Sequence, residues 1–179
     1  MPHILGSCER TTWRTPDWLF DVLDEEFSFD LDAAATDAVK KTDLYLGPDH
    51  ANPLCRDALS RDWSQVPTDG GYRDVRSVWL NPPYGAGVGR WVNKAQLECY
   101  LGGVTVVVLI NSQTDTLWFA DAVQKADEVR FHTGRIAFVD PETGEPANRP
   151  TNRSMIVVFR PHWDGPPRYS VVDYRPSKR

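Results

Sequence analysis

Val104-Thr105-Val106-Val107-Val108-Leu109-Ile110 is the stretch on which the fold turns. It is almost wholly apolar and β-branched, with no polar residue on either alternating face except Thr105. A strand with one wet face would alternate, so this run predicts a strand covered on both sides, as in the middle of a parallel sheet. Upstream, Arg90 to Leu101 has helical periodicity through Trp91, Val92, Ala95 and Leu97, and Gly102-Gly103 closes it. Downstream, Thr116 to Ala126 repeats that periodicity with Leu117, Phe119, Ala120 and Val123. Farther out, Val75 to Leu80 reads as a second strand, broken by Asn81-Pro82-Pro83-Tyr84-Gly85. Thr15-Pro16 opens a helix through Leu19, Phe20 and Leu23, and Phe27 to Leu31 reads as a short strand ending in Asp32-Ala33-Ala34-Ala35. Glu128 to Phe131, Ile136 to Val139 and Met155 to Phe159 supply closing strands, with a polar loop from Asp140 to Asn152. Residues 36–62 are turn-rich around Gly47-Pro48 and Asn52-Pro53 and carry no clear element. Strands alternating with helices predict an α/β architecture, a mostly parallel sheet with helices on both faces.

Length and composition set the frame. The 179 residues fit one domain, 1–179, with a core at about 15–160 and a basic C-terminal tail at 161–179. The 41% of hydrophobic residues suffice for a real core. No apolar run approaches the roughly 20 residues of a bilayer span, and the first ten residues lack a signal-peptide pattern. Cys8, Cys55 and Cys99 are odd in number and widely separated, which points to a reducing compartment and away from structural zinc. A cytoplasmic location with no membrane partner is expected. Net charge is −5, not the footprint of a protein that grips DNA by phosphate neutralisation alone. The charge is uneven, however. Residues 130–179 hold nine Lys/Arg against five Asp/Glu, while residues 1–129 hold eleven against twenty. Two readings stand: a nucleic-acid-facing basic surface, or a solvated tail carrying Arg168, Arg175, Lys178 and Arg179.

In an α/β sheet, ligands gather at the carboxyl ends of the strands. That singles out Asp32 with its alanines, the turn at Asn81, and Asn111 with Ser112. Asn-Pro-Pro-Tyr at the end of an apolar strand carries the most specific chemistry. An exocyclic amine on a nucleobase is a poor nucleophile because its lone pair is delocalised into the ring. A site that accepts hydrogen bonds from both N–H groups localises that pair on nitrogen. The side-chain oxygen of Asn81 can accept one, and the backbone carbonyl of Pro82, held rigid by Pro83, can accept the other. Tyr84 offers a flat face for a base turned out of its stack. Transfer from a sulfonium donor is a direct displacement that needs positioning more than an acid or base. Pro-Pro-Tyr alone occurs in ordinary loops; the preceding Asn, strand and following helix make the motif specific. No metal is expected, since His3, His50, His132 and His162 form no ligand spacing, and no serine sits in a nucleophile elbow.

The chain resembles the phage-type DNA N-6-adenine methyltransferase family. The resemblance runs from about Thr15 to Arg160. It rests on Thr15-Pro16-Asp17-Trp18-Leu19-Phe20, Leu31-Asp32-Ala33-Ala34, Leu59-Ser60-Arg61-Asp62-Trp63, Val78-Trp79-Leu80-Asn81-Pro82-Pro83-Tyr84-Gly85, Thr114 to Phe119, Gly134-Arg135-Ile136-Ala137-Phe138 and Ser154 to Phe159. It implies a Rossmann-like fold that binds S-adenosylmethionine and methylates adenine N6 in DNA, expected to be double-stranded, in a phage or prophage protein of the bacterial cytoplasm. It also implies that Thr15 contacts the methionine end of the cofactor, with Asp32 and the adjoining Ala33 near the same portion. Asp62 would read the cofactor adenine with Trp63 packed on it, and Asn81 borders the cofactor as well as the base. Arg135 takes a substrate or structural role.

The chain departs from the wider pattern in two ways. The first strand ends in Asp32-Ala33-Ala34-Ala35-Thr36 with no glycine for close ligand approach. Gly85, Gly87 and Gly89 follow the wrong strand for a dinucleotide fingerprint and read as a mobile loop over the base. There is also no room for a separate recognition domain, so DNA contact falls to loops. The best candidate is Asp140 to Asn152 with Arg149 and Arg153, followed by residues 64–74 with Arg73. Other readings stay open: cytosine N4 as target, RNA or a protein amide as substrate, or a nucleic-acid-binding protein of this fold without turnover. Recognition sequence and oligomeric state leave no readable trace.

Overall fold

The computed structural model describes residues 13–148 and 153–176. Helix α1 (Asp17–Phe27) starts after Pro16 and buries Leu19, Phe20 and Leu23. It ends where Ser28 takes a left-handed conformation (φ 51°). Two short strands follow, β1 (Leu31–Asp32) and β2 (Leu44–Tyr45), then a hairpin of β3 (Gln65–Thr68) and β4 (Gly71–Asp74). Next come β5 (Ser77–Leu80), α2 (Val88–Leu97), β6 (Thr105–Asn111), α3 (Leu117–Lys125) and β7 (Glu128–His132). The last elements are β8 (Ser154–Phe159) and β9 (Arg168–Val172).

Seven of these strands form one sheet in the order β2-β1-β5-β6-β8-β7-β9. The pairs β2–β1, β1–β5, β5–β6 and β7–β9 are parallel, and β8 runs antiparallel to both β6 and β7. The apolar run that opened the sequence reading is the sheet's centre, with Val106 to Ile110 buried without a break. Alternation sorts its side chains. Val106, Val108 and Ile110 pack with Val92 and Ala95 of α2 and Ala122 of α3. Val107 and Leu109 pack with Leu19, Phe20 and Leu23 of α1. Helices therefore cover both faces, as the doubly apolar pattern requires.

Several local expectations change. The expected strand at Phe27–Leu31 is mostly helix end and turn, because α1 runs to Phe27 and Asp30 accepts the Arg76 and Ser77 N–H groups at 2.8 and 3.3 Å. Ile136–Val139 is not a strand. Val139 makes only isolated bridges to Arg14 and Pro146, while Ile136 and Phe138 bury themselves on the α1 face of the sheet. Their alternation records a segment laid across a sheet, which gives the same apolar period as a strand within one. Residues 64–74, read as a loop, form the β3–β4 hairpin. The stretch 161–179, read as a tail, contributes β9 at the sheet edge. In the Gly85–Gly89 segment, Gly85 has φ +127° and so needs glycine. A Cβ on Gly89 would come within 3.2 Å of the Trp118 Cβ, so that glycine serves α2–α3 contact.

Candidate active site

A cleft of about 640 Å³ opens over the carboxyl ends of β1, β5 and β6. Thr15, Asp32, Asn81, Pro82, Pro83 and Tyr84 all line it. Residues far apart in sequence meet here because β1, β5 and β6 are parallel neighbours, so their carboxyl ends share one edge.

Asn81 is held by one hydrogen bond and left open at the other end of its carboxamide. Its Nδ2 donates to Thr15 Oγ at 3.2 Å. Its Oδ1 is buried and has no hydrogen-bond partner among the described residues. An unpaired buried acceptor costs about 1–3 kcal/mol, which a ligand N–H would offset. Thr15 is itself buried, at 3% exposure, in the turn that starts α1. Pro82 is buried and Pro83 exposed. The Tyr84 hydroxyl donates to the Leu109 carbonyl at 3.4 Å, and its ring meets Phe138 edge-on at 5.9 Å. Burial pushes the phenol well above its ordinary range, so it stays a neutral donor.

Asp32 supplies the cleft's buried acid. Its two oxygens accept the Ala34 and Lys41 backbone N–H groups at 3.3 and 3.1 Å. Burial raises its pKa to about 6, against the pull of those two hydrogen bonds and the Lys41 charge. The missing glycine of the Asp32–Thr36 turn is supplied from elsewhere in the chain. Gly47 packs so closely on this turn that a Cβ there would lie 1.7 Å from the Ala35 carbonyl oxygen.

Not every expected residue reaches the cleft. Ala33 and Trp63 are fully buried in the core, with the Trp63 indole N–H donating to the Ala58 carbonyl at 2.8 Å. Asp62 is exposed, and its carboxylate accepts the N–H and O–H of Ser64 at 2.8 and 2.7 Å. It closes a local turn and lies outside the cleft lining. Arg135 and Arg153 are exposed and outside the cleft lining. Arg149 lies outside the described residues. The cleft also holds residues given no role from sequence: Trp13, Asp57, Trp91, Asn111 and Gln113. Only Asn111 carried a signal, as a polar residue closing the most apolar strand. Among the described residues, no three His, Cys, Asp or Glu come together as metal ligands, and no helix is long and apolar enough to cross a membrane.

A mainly parallel sheet whose polar side chains converge on a cleft at the strands' carboxyl ends, with an open acceptor on a rigid Pro-Pro turn, defines an α/β group-transfer enzyme of the methyltransferase type. The sequence profile of the DNA N-6-adenine-methyltransferase (Dam) family matches residues 5–178, and the chain belongs to that family. It is 31% identical over 156 residues to the DNA N-6-adenine-methyltransferase of Haemophilus phage HP1, covering 86% of this chain and 80% of that protein. It is 26% identical over 167 residues to the DNA N-6-adenine-methyltransferase of Escherichia phage T1, covering 84% of this chain and 63% of that one.

Proposed function

We propose that this DNA adenine methyltransferase transfers a methyl group from S-adenosylmethionine to N6 of an adenine turned out of duplex DNA, in the cleft above β1, β5 and β6. The observation that carries the reading is the buried Oδ1 of Asn81, unpaired among the described residues, an acceptor in the cleft with no N–H donor. Asn81 Oδ1 takes one N–H of the amine and the Pro82 carbonyl takes the other, which concentrates the lone pair on nitrogen. Thr15 keeps the carboxamide from rotating.

The donor fits the residues present. The cleft volume of about 640 Å³ lies in the ordinary range for cofactor sites. Asp32 is an acid whose pKa burial raises to about 6, and a cationic ligand beside it would favour its charged form. When bound, S-adenosylmethionine offers an electrophilic methyl group on a sulfonium sulfur. Asp32 and the cleft around it would hold that donor, and Asn81 Oδ1 with the Pro82 carbonyl would point the amine's lone pair at its methyl group, the sulfur leaving with the C–S electron pair. One amine proton then passes to solvent. Tyr84, anchored on Leu109, supplies the surface on which the base stacks.

The test is transfer of a labelled methyl group to unmethylated duplex DNA, followed by digestion to nucleosides and mass analysis. N6-methyladenine is the expected product. N4-methylcytosine, or label only on RNA or protein, would replace adenine in DNA as the target.

A further inference from the structure

Four neighbouring strands, three by their ends and the antiparallel β8 by its start, bring to one edge of the sheet a buried polar atom with no hydrogen-bond partner among the described residues. These are Asn81 Oδ1 after β5, Asn111 Oδ1 on β6, Ser154 Oγ on β8 and both ring nitrogens of His132 on β7. All four fall on the α1 face. Trp79 and Leu109 pack there, so Asn81 and Asn111, two residues on, point the same way. Ile156 packs there too, which places Ser154, paired with Asn111 in register, on that face. On the other side of Asn81 the pattern stops, because both oxygens of Asp32 on β1 are paired with backbone N–H groups. Of the members beyond Asn81, Asn111 alone lines the cleft.

We infer that the target base sits on the β6 side of Asn81 and that Asn111 is a base-contacting residue that helps set specificity. This rests on the transfer reaction proposed above. A direct displacement places donor and acceptor on opposite sides of the moving methyl group. The charge-bearing half of the cleft, with Asp32, is the β1 side, so the base takes the β6 side. Tyr84 agrees with this independently, since its hydroxyl is tied to the Leu109 carbonyl on β6, two residues before Asn111. The Asn111 carboxamide carries both a donor and an acceptor. Asn81 and Pro82 take both N–H groups of the adenine amine, so the Asn111 amide N–H is the group that meets the base, donating to a ring nitrogen beside the amine.

The experiment compares wild type with Asn111→Ala and with Asn111→Asp, which keeps the shape and an acceptor but loses the donor. Three quantities are measured: the dissociation constant for S-adenosylmethionine by calorimetry, kcat/KM for an unmethylated duplex, and the melting temperature. Expected is a fall of about tenfold or more in kcat/KM for DNA, with cofactor affinity within about twofold of wild type. If Asn111→Ala fails to fold, Asn111→Asp decides the same question. Weakened cofactor binding with unchanged kcat/KM for DNA would move Asn111 to the cofactor half and overturn the inference. No change in either quantity would overturn it as well. Both leave the reaction itself standing, whereas a wild-type protein that makes no N6-methyladenine removes the reaction and this inference together.

Discussion

The two edges of the central sheet treat polar groups differently. At the amino edge, charges are paired with one another. Arg130 is nearly buried and binds Glu26 through two contacts of 2.6 Å, Glu128 at 2.9 Å and the Tyr174 hydroxyl at 3.1 Å. Asp127, with a fully buried side chain, pairs with Arg160 and with Arg168 at 3.1 Å. That network ties the end of α1, β7, the end of β8 and the edge strand β9 into one unit. At the carboxyl edge, Asn81, Asn111, Ser154 and His132 keep buried polar atoms unpaired. Buried polar groups are nearly always hydrogen-bonded, so each exception calls for an explanation, a ligand among them. The amino edge pairs its charges and leaves Ser77 Oγ, at the start of β5, unpaired among the described residues; the carboxyl edge leaves unpaired atoms on four neighbouring strands, the pattern of an edge that meets ligands.

The comparison can be broken most decisively at Asn81. Asn81→Ala removes the acceptor on the transferring nitrogen and should lower the rate by about 10³-fold, while calorimetry finds cofactor binding retained. Transfer at a near-normal rate would show that the unpaired oxygen has no part in the reaction. The opposite edge should answer in stability alone. Arg130→Met strands Glu26 and part of Glu128, and should destabilise the protein by about 3 kcal/mol. That corresponds to a melting temperature lower by roughly 10 °C. Rates per folded molecule should stay unchanged, and a loss of kcat at temperatures where the variant is folded would erase the distinction between the edges.

Asp32 sharpens the contrast through pH. Its folded pKa of about 6 lies above the ordinary value of 3.8, so the folded state favours the protonated acid. Its stabilising contribution is complete below about pH 4 and is lost as pH rises through 6, a swing of about 3 kcal/mol in the ligand-free protein. Melts at pH 4 and pH 7 should show this swing reduced in Asp32→Asn. Cofactor affinity should move the other way, falling as pH drops below 6 and the carboxylate is neutralised. The smallest effect belongs to Thr15. Thr15→Val deletes the bond that orients Asn81 and should lower kcat about tenfold, with Thr15→Ser restoring it. If Thr15→Val instead weakened cofactor binding at constant kcat, the direct cofactor contact implied by the family resemblance would be right.

The sequence by itself determined the architecture and singled out the Asn81–Tyr84 turn as the candidate site. A β-branched run apolar on both faces has one stable place, between two layers, and Val104 to Ile110 took it. Asn81 to Tyr84 was legible because its chemistry is local: the acceptor, the rigid prolines and the aromatic are adjacent in the chain. Whatever required two distant segments to meet was settled only by the tertiary structure. Gly47 replaces the absent glycine of the Asp32 turn because β2 lies parallel to β1 and brings it there. Asp62, exposed, bonds to Ser64 on its own loop, a local contact whose place outside the cleft only the tertiary structure shows. Ile136 to Phe138 alternated like a strand yet lies across the sheet, because period two records only which side chains are buried and not what buries them. The free oxygen of Asn81 also belongs to the tertiary structure. Which amide atom is bound and which is left open depends on where Thr15 arrives, and that is decided by how α1 packs on the sheet.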